Sequence, residues 1–129
     1  MRMLVRVLKA LADPNRIRIM KMLQHRTMCV CELTEALGIA QPSVSRHMRV
    51  LENADLVEQR KEGPWVNYLW NHSPVNPFAR ELLERMRDWL QEDPEVQTLL
   101  LKASKLDRNI ICRRSQIKRE VSRSKDSSR

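Results

Sequence analysis

The hydrophobic period changes from helical to alternating partway along this chain, and that change restricts the fold more than any other feature. Up to residue 55 the apolar side chains recur at helical spacing, as Ile17, Met20 and Leu23 do. Over residues 56–70 they alternate instead, on both sides of a Glu-Gly-Pro turn at residues 62–64. About this turn the residues Val57, Gln59 and Lys61 mirror Val66, Tyr68 and Trp70. Helical spacing predicts amphipathic helices, and alternation around a turn predicts a β-hairpin. The chain is therefore predicted to be mainly α with a small β-hairpin, an α+β fold.

Capping residues mark where the predicted helices begin and end. Asp13 followed by Pro14 suits an N-cap and a first helical position, and Gly38 suits the end of the third helix. Asn76 followed by Pro77 opens the fifth helix in the same way. The predicted helices cover residues 3–12, 14–23, 28–38, 41–56, 77–91 and 94–105.

The third and fourth helices are joined by a short connection, Gly-Ile-Ala-Gln, at residues 38–41. A short turn that contains glycine is typical of the helix-turn-helix, whose second helix enters the major groove of DNA. Arg can pair bidentately with guanine and Gln with adenine, while Ser suits bases or phosphates. His47 falls on the inner side of this helix, so we expect it to pack or to hydrogen-bond rather than to bind a ligand. The outer face carries the candidate DNA-binding residues Gln41, Ser43, Ser45, Arg46 and Arg49.

The predicted hairpin places two more basic residues beside this helix. Arg60 and Lys61 lie next to the turn, where Gly63 allows a close reversal of the chain. A basic hairpin tip is suited to contact phosphates or the minor groove. One basic helix alone would most simply be a solvated face, but the helix pair, its Ser/Arg-rich second helix and the basic hairpin together favour DNA binding.

The net charge of +8 is unevenly distributed along the chain. Residues 113–129 hold seven Lys or Arg against Glu120 and Asp126, a net charge of +5, which leaves +3 for residues 1–112. A basic excess of this size indicates a polyanionic partner. Because the stretch after Cys112 is charged, Ser-rich and nearly free of apolar residues, we predict that it is disordered.

The cysteine content and the apolar runs indicate the compartment. Three cysteines cannot all pair within one chain, so free thiols in a reducing cytosol are the simpler interpretation. The apolar runs are far shorter than the roughly 20 residues that a membrane helix needs. The N-terminal stretch carries charges through its apolar part, which does not fit a secretory signal. The sequence therefore predicts a cytoplasmic protein with no membrane partner.

Three stretches resemble the ArsR/SmtB family, the arsenical-resistance and metallothionein-operon repressors. They are LADPNRIRIMKML, CVCELTEALGIAQPSVSRHMRVLENADLV and EQRKEGPWVNYLW. The resemblance spans residues 4–91, and its specific parts are Cys-Val-Cys and the Ser-x-Ser-x-His register of the fourth helix. It implies a winged helix-turn-helix homodimer that pairs through its first and fifth helices. Such a repressor binds palindromic double-stranded operator DNA and leaves it when a soft metal or metalloid binds.

These observations divide the chain into three parts. Residues 1–92 are predicted to form the winged helix-turn-helix DNA-binding and dimerisation domain. Residues 93–112 are predicted to form a C-terminal helical extension, and residues 113–129 a basic tail.

Cys29 and Cys31 are the candidate inducer ligands. Thiolates select soft ions, and As(III) and Sb(III) share that preference. The resemblance points to the metalloid-sensing branch, whose third helix carries Cys-Val-Cys. Arsenical sensors often have a third cysteine where this chain has Thr34, so Cys112 remains as a third ligand, from the same chain or from the partner. Solvent, a small thiol or a substituent on the arsenic are the alternatives.

Other branches of the resembled family fit less well. The zinc-sensing branch uses His and carboxylate ligands on the fifth helix, and residues 76–90 contain no His. The cadmium- and lead-sensing branch adds cysteines near the N-terminus, and residues 1–28 contain none. Alternatives to arsenic sensing are a thiol-redox or persulfide-responsive repressor of the same fold, or one responsive to Cd, Pb or Zn. An enzyme and a protein-interaction module are rivals from other classes; no nucleophile–base pair or phosphate-binding loop supports the former.

Two further expectations concern the thiols themselves. A helix N-terminus lowers thiol pKa values, so we expect a lowered pKa for this pair. Residues two apart in a regular helix point about 200° from each other. Because Cys29 and Cys31 both fall in the predicted third helix, binding of one ion to both should unwind its first turn.

Overall fold

The computed structural model describes residues 1–107 and 110–111. Within that part of the chain, the main elements are six helices and a small three-stranded antiparallel sheet. The helices are α1 (Arg2–Leu11), α2 (Pro14–His25), α3 (Val30–Leu37), α4 (Gln41–Asn53), α5 (Pro77–Met86) and α6 (Pro94–Ser104). The strands are β1 (Met28–Cys29), β2 (Val57–Glu62) and β3 (Trp65–Trp70). The prediction of a mainly helical α+β fold is confirmed.

The predicted helix caps are formed as expected. The Asp13 carboxylate accepts from the backbone N–H of Asn15 at 2.8 Å and satisfies one of the free donors at the start of α2. The Asn76 side chain accepts from the N–H of Phe78 at 3.0 Å at the start of α5. Gly38 ends α3 in the left-handed region, at φ 67°, which glycine adopts without strain.

The sheet has the strand order β1-β3-β2, so β3 lies in the middle. The hairpin register confirms the predicted mirror relation, with Val57 opposite Trp70 and Gln59 opposite Tyr68. The prediction that the third helix begins at Met28 is wrong. Met28 pairs with Tyr68 and Cys29 pairs with Asn67, so these two residues are extended and α3 begins only at Val30.

The core lies between the helices and one face of the sheet. Val7, Ile19, Met48 and other aliphatic side chains are fully buried there. Trp70 anchors the sheet to α2, because its indole N–H donates to the carbonyl of Met20 at 2.7 Å. The hairpin is thus held against α2, which also packs against α4.

The fifth helix is shorter than residues 77–91, the predicted range. It ends at Met86, and residues 87–92 form turns. Two side chains of α2 bond its last carbonyls: Lys21 Nζ donates to Met86 at 2.7 Å, and Gln24 Nε2 donates to Arg87 at 3.2 Å. Carbonyl groups at a helix end need such partners. These tertiary contacts accompany the end of α5, and the amphipathic pattern did not reveal it.

Large apolar side chains remain exposed on α1 and after α5. Met3, Val5 and Leu8 are exposed on α1, and Trp89 and Leu90 follow the end of α5. Because α1 packs beside α5, these side chains belong to neighbouring parts of the surface. In the described part of the chain, no helix is long and apolar enough to span a membrane.

Candidate DNA-binding surface and thiol site

The α4 helix separates an apolar inner face from a polar outer face. Val44, Met48 and Leu51 are buried in the core. Arg46 and Arg49 are exposed. The remaining candidate residues of this helix are half-buried: Gln41, Ser43 and Ser45.

The connection between α3 and α4 is held by backbone hydrogen bonds. The N–H of Gly38 donates to the carbonyl of Thr34 at 2.9 Å, which closes the end of α3. The N–H of Ser43 donates to the carbonyl of Ala40 at 3.0 Å, which opens α4. Only three residues, 38–40, separate the two helices.

His47 lies on the inner side of α4, as expected. Its Nδ1 lies 3.2 Å from Nη1 of Arg16, a residue of α2. The pKa of His47 lies below its ordinary value, because burial and the nearby Arg16 and Arg46 lower it by more than the Asp13 carboxylate raises it. The imidazole therefore links α2 to α4, and the structure gives it a packing and hydrogen-bonding role.

Arg60 and Lys61 lie on opposite faces of the hairpin, because successive residues of a strand alternate. Gln59, on the same face as Lys61, donates to the Glu52 carboxylate of α4 at 2.8 Å. Arg60 instead shares the other face with Glu58, whose carboxylate lies 3.9 Å from its guanidinium. Lys61 is thus on the side of the sheet that faces α4, and Arg60 is on the reverse side.

The two thiols occupy different structural positions at the start of α3. Cys29 is the N-cap, extended at φ −87° and ψ 169°, and its side chain is buried. Cys31 lies in the first turn of the helix and is half-buried. The expectation that both thiols lie in one regular helix is therefore wrong. The requirement that the first turn must unwind, which rested on that geometry, no longer follows.

A buried carboxylate holds the Cys29 backbone. Oε1 of Glu32 accepts from the N–H of Cys29 at 3.1 Å, and the Cys29 side chain faces the N–H of Glu32. The two residues form a capping box of the kind found at helix starts. Glu32 is completely buried, and its second oxygen accepts from the Arg26 guanidinium.

The electrostatic surroundings oppose ionisation of Cys29. Burial raises the pKa of its thiol, and the Glu32 carboxylate raises it further, against the Glu32 backbone N–H, which lowers it. The expectation of a lowered pKa at this helix N-terminus is therefore wrong for Cys29. Desolvation outweighs the favourable N–H group.

The sequence prediction missed two residues of this site. Glu32 follows Cys29 at the N-cap-to-N3 spacing of a capping box, and that spacing could have revealed it. Arg26 lies in a polar break between helices and carries no comparable signal. Cys112, the third predicted ligand, lies outside the described residues. In the part of the chain that the structure describes, no group of three or more His, Cys, Asp or Glu could hold a metal ion.

Comparisons with known proteins agree on one family. The family model described as "Bacterial regulatory protein, arsR family" matches residues 13–59, from the N-cap of α2 into β2. The arsenic resistance transcriptional regulator ArsR1 of Pseudomonas putida is 36% identical over 91 residues, which cover 67% of this chain and 71% of that protein. The arsenical resistance operon repressor of Escherichia coli is 35% identical over 98 residues, 74% of this chain and 80% of that protein.

A solved structure supports the same assignment. The homodimeric winged helix-turn-helix DNA-binding domain of Mb0332 from Mycobacterium bovis, a possible ArsR-family transcriptional regulator, has a TM-score of 0.57 and 28% identity. The match covers 67% of this chain and 76% of that one. With this fold and these relatives, the chain belongs to the ArsR family of DNA-binding transcriptional repressors.

Proposed function

We propose that this repressor is a homodimer that leaves its operator when As(III) or Sb(III) binds to Cys29 and Cys31. The observation that carries the proposal is the position of the thiols. They lie at the start of α3, the first helix of the helix-turn-helix. A ligand that joins the two sulfurs acts directly on the helix that supports α4.

The donor chemistry suits a trivalent metalloid. Arsenous acid is neutral near pH 7, so each thiol replaces one hydroxyl group and the thiol proton leaves with it as water. Because the thiols react in their protonated form overall, the raised pKa of Cys29 is compatible with binding at equilibrium. Cys112 supplies the third sulfur from its own chain or from the partner, with a small thiol or a substituent on the arsenic as alternatives.

The operator-binding surface is proposed to combine α4 with the hairpin. Arg46 and Arg49 are exposed on α4 and can reach base edges or phosphates. Lys61 continues this side of the molecule along the hairpin, and Arg60 reaches DNA only from the hairpin's reverse side. Gln41, Ser43 and Ser45 lie on the same helix and complete the set of proposed DNA contacts.

The dimer is proposed to form through α1 and α5, as the family resemblance implies. Exposed Met3, Val5 and Leu8 give α1 an apolar face that a second copy would cover. The homodimeric neighbour from Mycobacterium bovis supports a homodimer. In the full protein, residues 1–92 would bind DNA and dimerise, residues 93–112 would extend the domain, and the basic residues 113–129 would add non-specific attraction to DNA.

Release follows if ligand binding repositions α3. The short connection at residues 38–40 transmits that displacement to α4, and the two α4 helices of the dimer then no longer match successive major grooves. A coupling free energy of about 1–3 kcal/mol is typical of allosteric pairs and would suffice for regulation. Linkage requires that operator DNA weaken metalloid binding by the same factor.

The inducer can be identified by titrating a fluorescent operator complex. Arsenite, antimonite, zinc and cadmium are added separately, with and without a reductant. Release by arsenite or antimonite under reducing conditions supports the proposal. Release by an oxidant or a persulfide donor alone would favour the thiol-redox alternative, and release by zinc or cadmium alone would favour a divalent-metal sensor.

A further inference from the structure

We propose that Arg26 is a positioning residue that couples the thiol site to the C-terminal end of α6. Metalloid binding at Cys29 would then change the last turn of α6 as well as α3. This inference rests on the proposed function, because it extends the response of the same thiol site to a second part of the molecule.

The first step of the coupling runs from Cys29 to Glu32. Glu32 is 0% exposed, so its carboxylate depends wholly on its protein partners. One oxygen accepts from the N–H of Cys29 at 3.1 Å, and the other accepts from Arg26. A displacement of the Cys29 backbone therefore changes the surroundings of a charge that has no access to water.

The second step runs from Arg26 to α6. While one guanidinium nitrogen donates to Glu32, Nη1 donates to the carbonyl of Ala103 at 2.7 Å. The same carbonyl accepts from the N–H of Leu106 at 3.2 Å, a bond that closes the end of α6. The planar guanidinium fork has a fixed geometry, so it cannot follow Glu32 without changing its bond to Ala103.

The surroundings leave room for this change. Five of the described residues line a cavity of about 440 Å³ between the thiol site and the end of α6: Arg26, Thr27, Glu32, Leu106 and Asp107. Ala103 is buried, and Ile111, which follows the cavity-lining residues in the sequence, is buried as well. The end of α6 therefore packs against the core through Ala103 and also borders this cavity. In sequence, Cys112, the candidate third ligand, follows this end of α6.

A second contact between α2 and α6 provides a matched control. Arg18 of α2 pairs with Glu95 near the start of α6, and both side chains are partly exposed. This arginine also bridges to α6, and its partners Glu95 and Asn15 lie outside the thiol site. Replacement of Arg18 by Lys tests the effect of losing a guanidinium bridge without touching Glu32.

The experiment measures amide hydrogen exchange over residues 103–106 in the full-length protein, with and without arsenite. In wild type, arsenite should change these exchange rates by about fivefold or more, the lower end of typical allosteric coupling. Arg26→Lys keeps a positive charge near Glu32 but loses the fork, so the arsenite-dependent change should disappear. Arg18→Lys should retain it. If Arg26→Lys only weakened the structure, it would raise the exchange rates by the same factor with and without arsenite. The arsenite-dependent change would then persist.

A second probe separates failure of this inference from failure of the proposed function. In a Cys31→Ser/Cys112→Ser chain, iodoacetamide can modify only Cys29. Its alkylation should change exchange over residues 103–106, and Arg26→Lys should abolish that response whether or not arsenite binds. The inference is overturned if modified or arsenite-bound Cys29 leaves the end of α6 unchanged, or if the response persists in Arg26→Lys. Failure of arsenite to protect the thiols would count against the proposed function alone.

Discussion

The backbone N–H of Cys29 donates a hydrogen bond to the buried Glu32 carboxylate at 3.1 Å. This bond holds one proposed inducer ligand extended at the N-cap of α3, while Cys31 follows inside the helix. The two thiols therefore differ in backbone conformation and burial, although only one residue separates them. The start of α3 depends on a carboxylate that belongs to the same short motif.

Replacing Glu32 should destabilise the fold in proportion to the hydrogen bonds lost. Glu32→Ala leaves the buried N–H of Cys29 without its acceptor, which should lower the free energy of unfolding by about 1–3 kcal/mol. Glu32→Gln keeps an amide oxygen for that N–H and should cost less. Urea denaturation of both variants measures the difference. Equal stabilities for the Ala and Gln variants would show that the capping bond contributes little.

The proposed DNA surface predicts two different mutational signatures. Arg46→Ala should cost about 1–3 kcal/mol of operator affinity and relax specificity at one base pair if Arg46 reads a base. Lys61→Ala should weaken binding to all sequences alike and reduce the salt dependence by about one ion. Lys102→Ala on α6 provides a surface control. Anisotropy titrations at several salt concentrations check both effects, and an Arg46/Lys61 double variant with wild-type affinity would exclude this surface.

The surroundings of Cys29 predict slow alkylation at neutral pH. Its pKa lies above the ordinary value of 9.0 because burial and Glu32 disfavour the thiolate. Only the thiolate attacks iodoacetamide, so the rate for Cys29 should rise at higher pH than for a free cysteine peptide. The measurement uses a Cys31→Ser/Cys112→Ser chain. If the pH midpoint of the alkylation rate for Cys29 lay below that of the peptide, the argument from burial would be contradicted.

Lys21 should make stability depend on alkaline pH. Burial lowers its pKa from the ordinary 10.5, against the nearby Asp88 carboxylate, which raises it. At pH values between the pKa of Lys21 in the folded chain and its higher pKa in the unfolded chain, Lys21 binds more protons when the chain is unfolded. The free energy of unfolding therefore rises with pH in this interval. Below that window both states are protonated, and the contribution to the slope vanishes. Lys21→Met should remove the rise, as a comparison of pH-dependent unfolding with wild type would show.

Local signals in the sequence were sufficient for much of the fold. Asp13 marks a helix start through its side-chain carboxylate, and Gly38 marks a helix end through its backbone freedom. The alternating pattern placed Gln59 opposite Tyr68. The two-residue strand β1 was missed because a segment of that length has no measurable period. The end of α5 at Met86 was missed because the local pattern carries no sign of its contact with Lys21, a residue distant in sequence.

The thiol site was only partly predictable for the same reason. The family resemblance identified Cys29 and Cys31, but the burial of Glu32 and the bond from Arg26 to Ala103 depend on how α6 packs against α3. Charge and burial at this site therefore reversed the expected pKa shift of Cys29. Such long-range effects have no signature in local sequence.

Arsenite-driven release from a fluorescently labelled operator, defined by footprinting, tests the central claim most directly. Wild type and a Cys29→Ser/Cys31→Ser variant are compared by anisotropy under reducing conditions. Both should bind the operator with similar affinity, and arsenite should release only the wild type. Arsenite-driven release of the double serine variant would contradict the assignment of these thiols as the sensor.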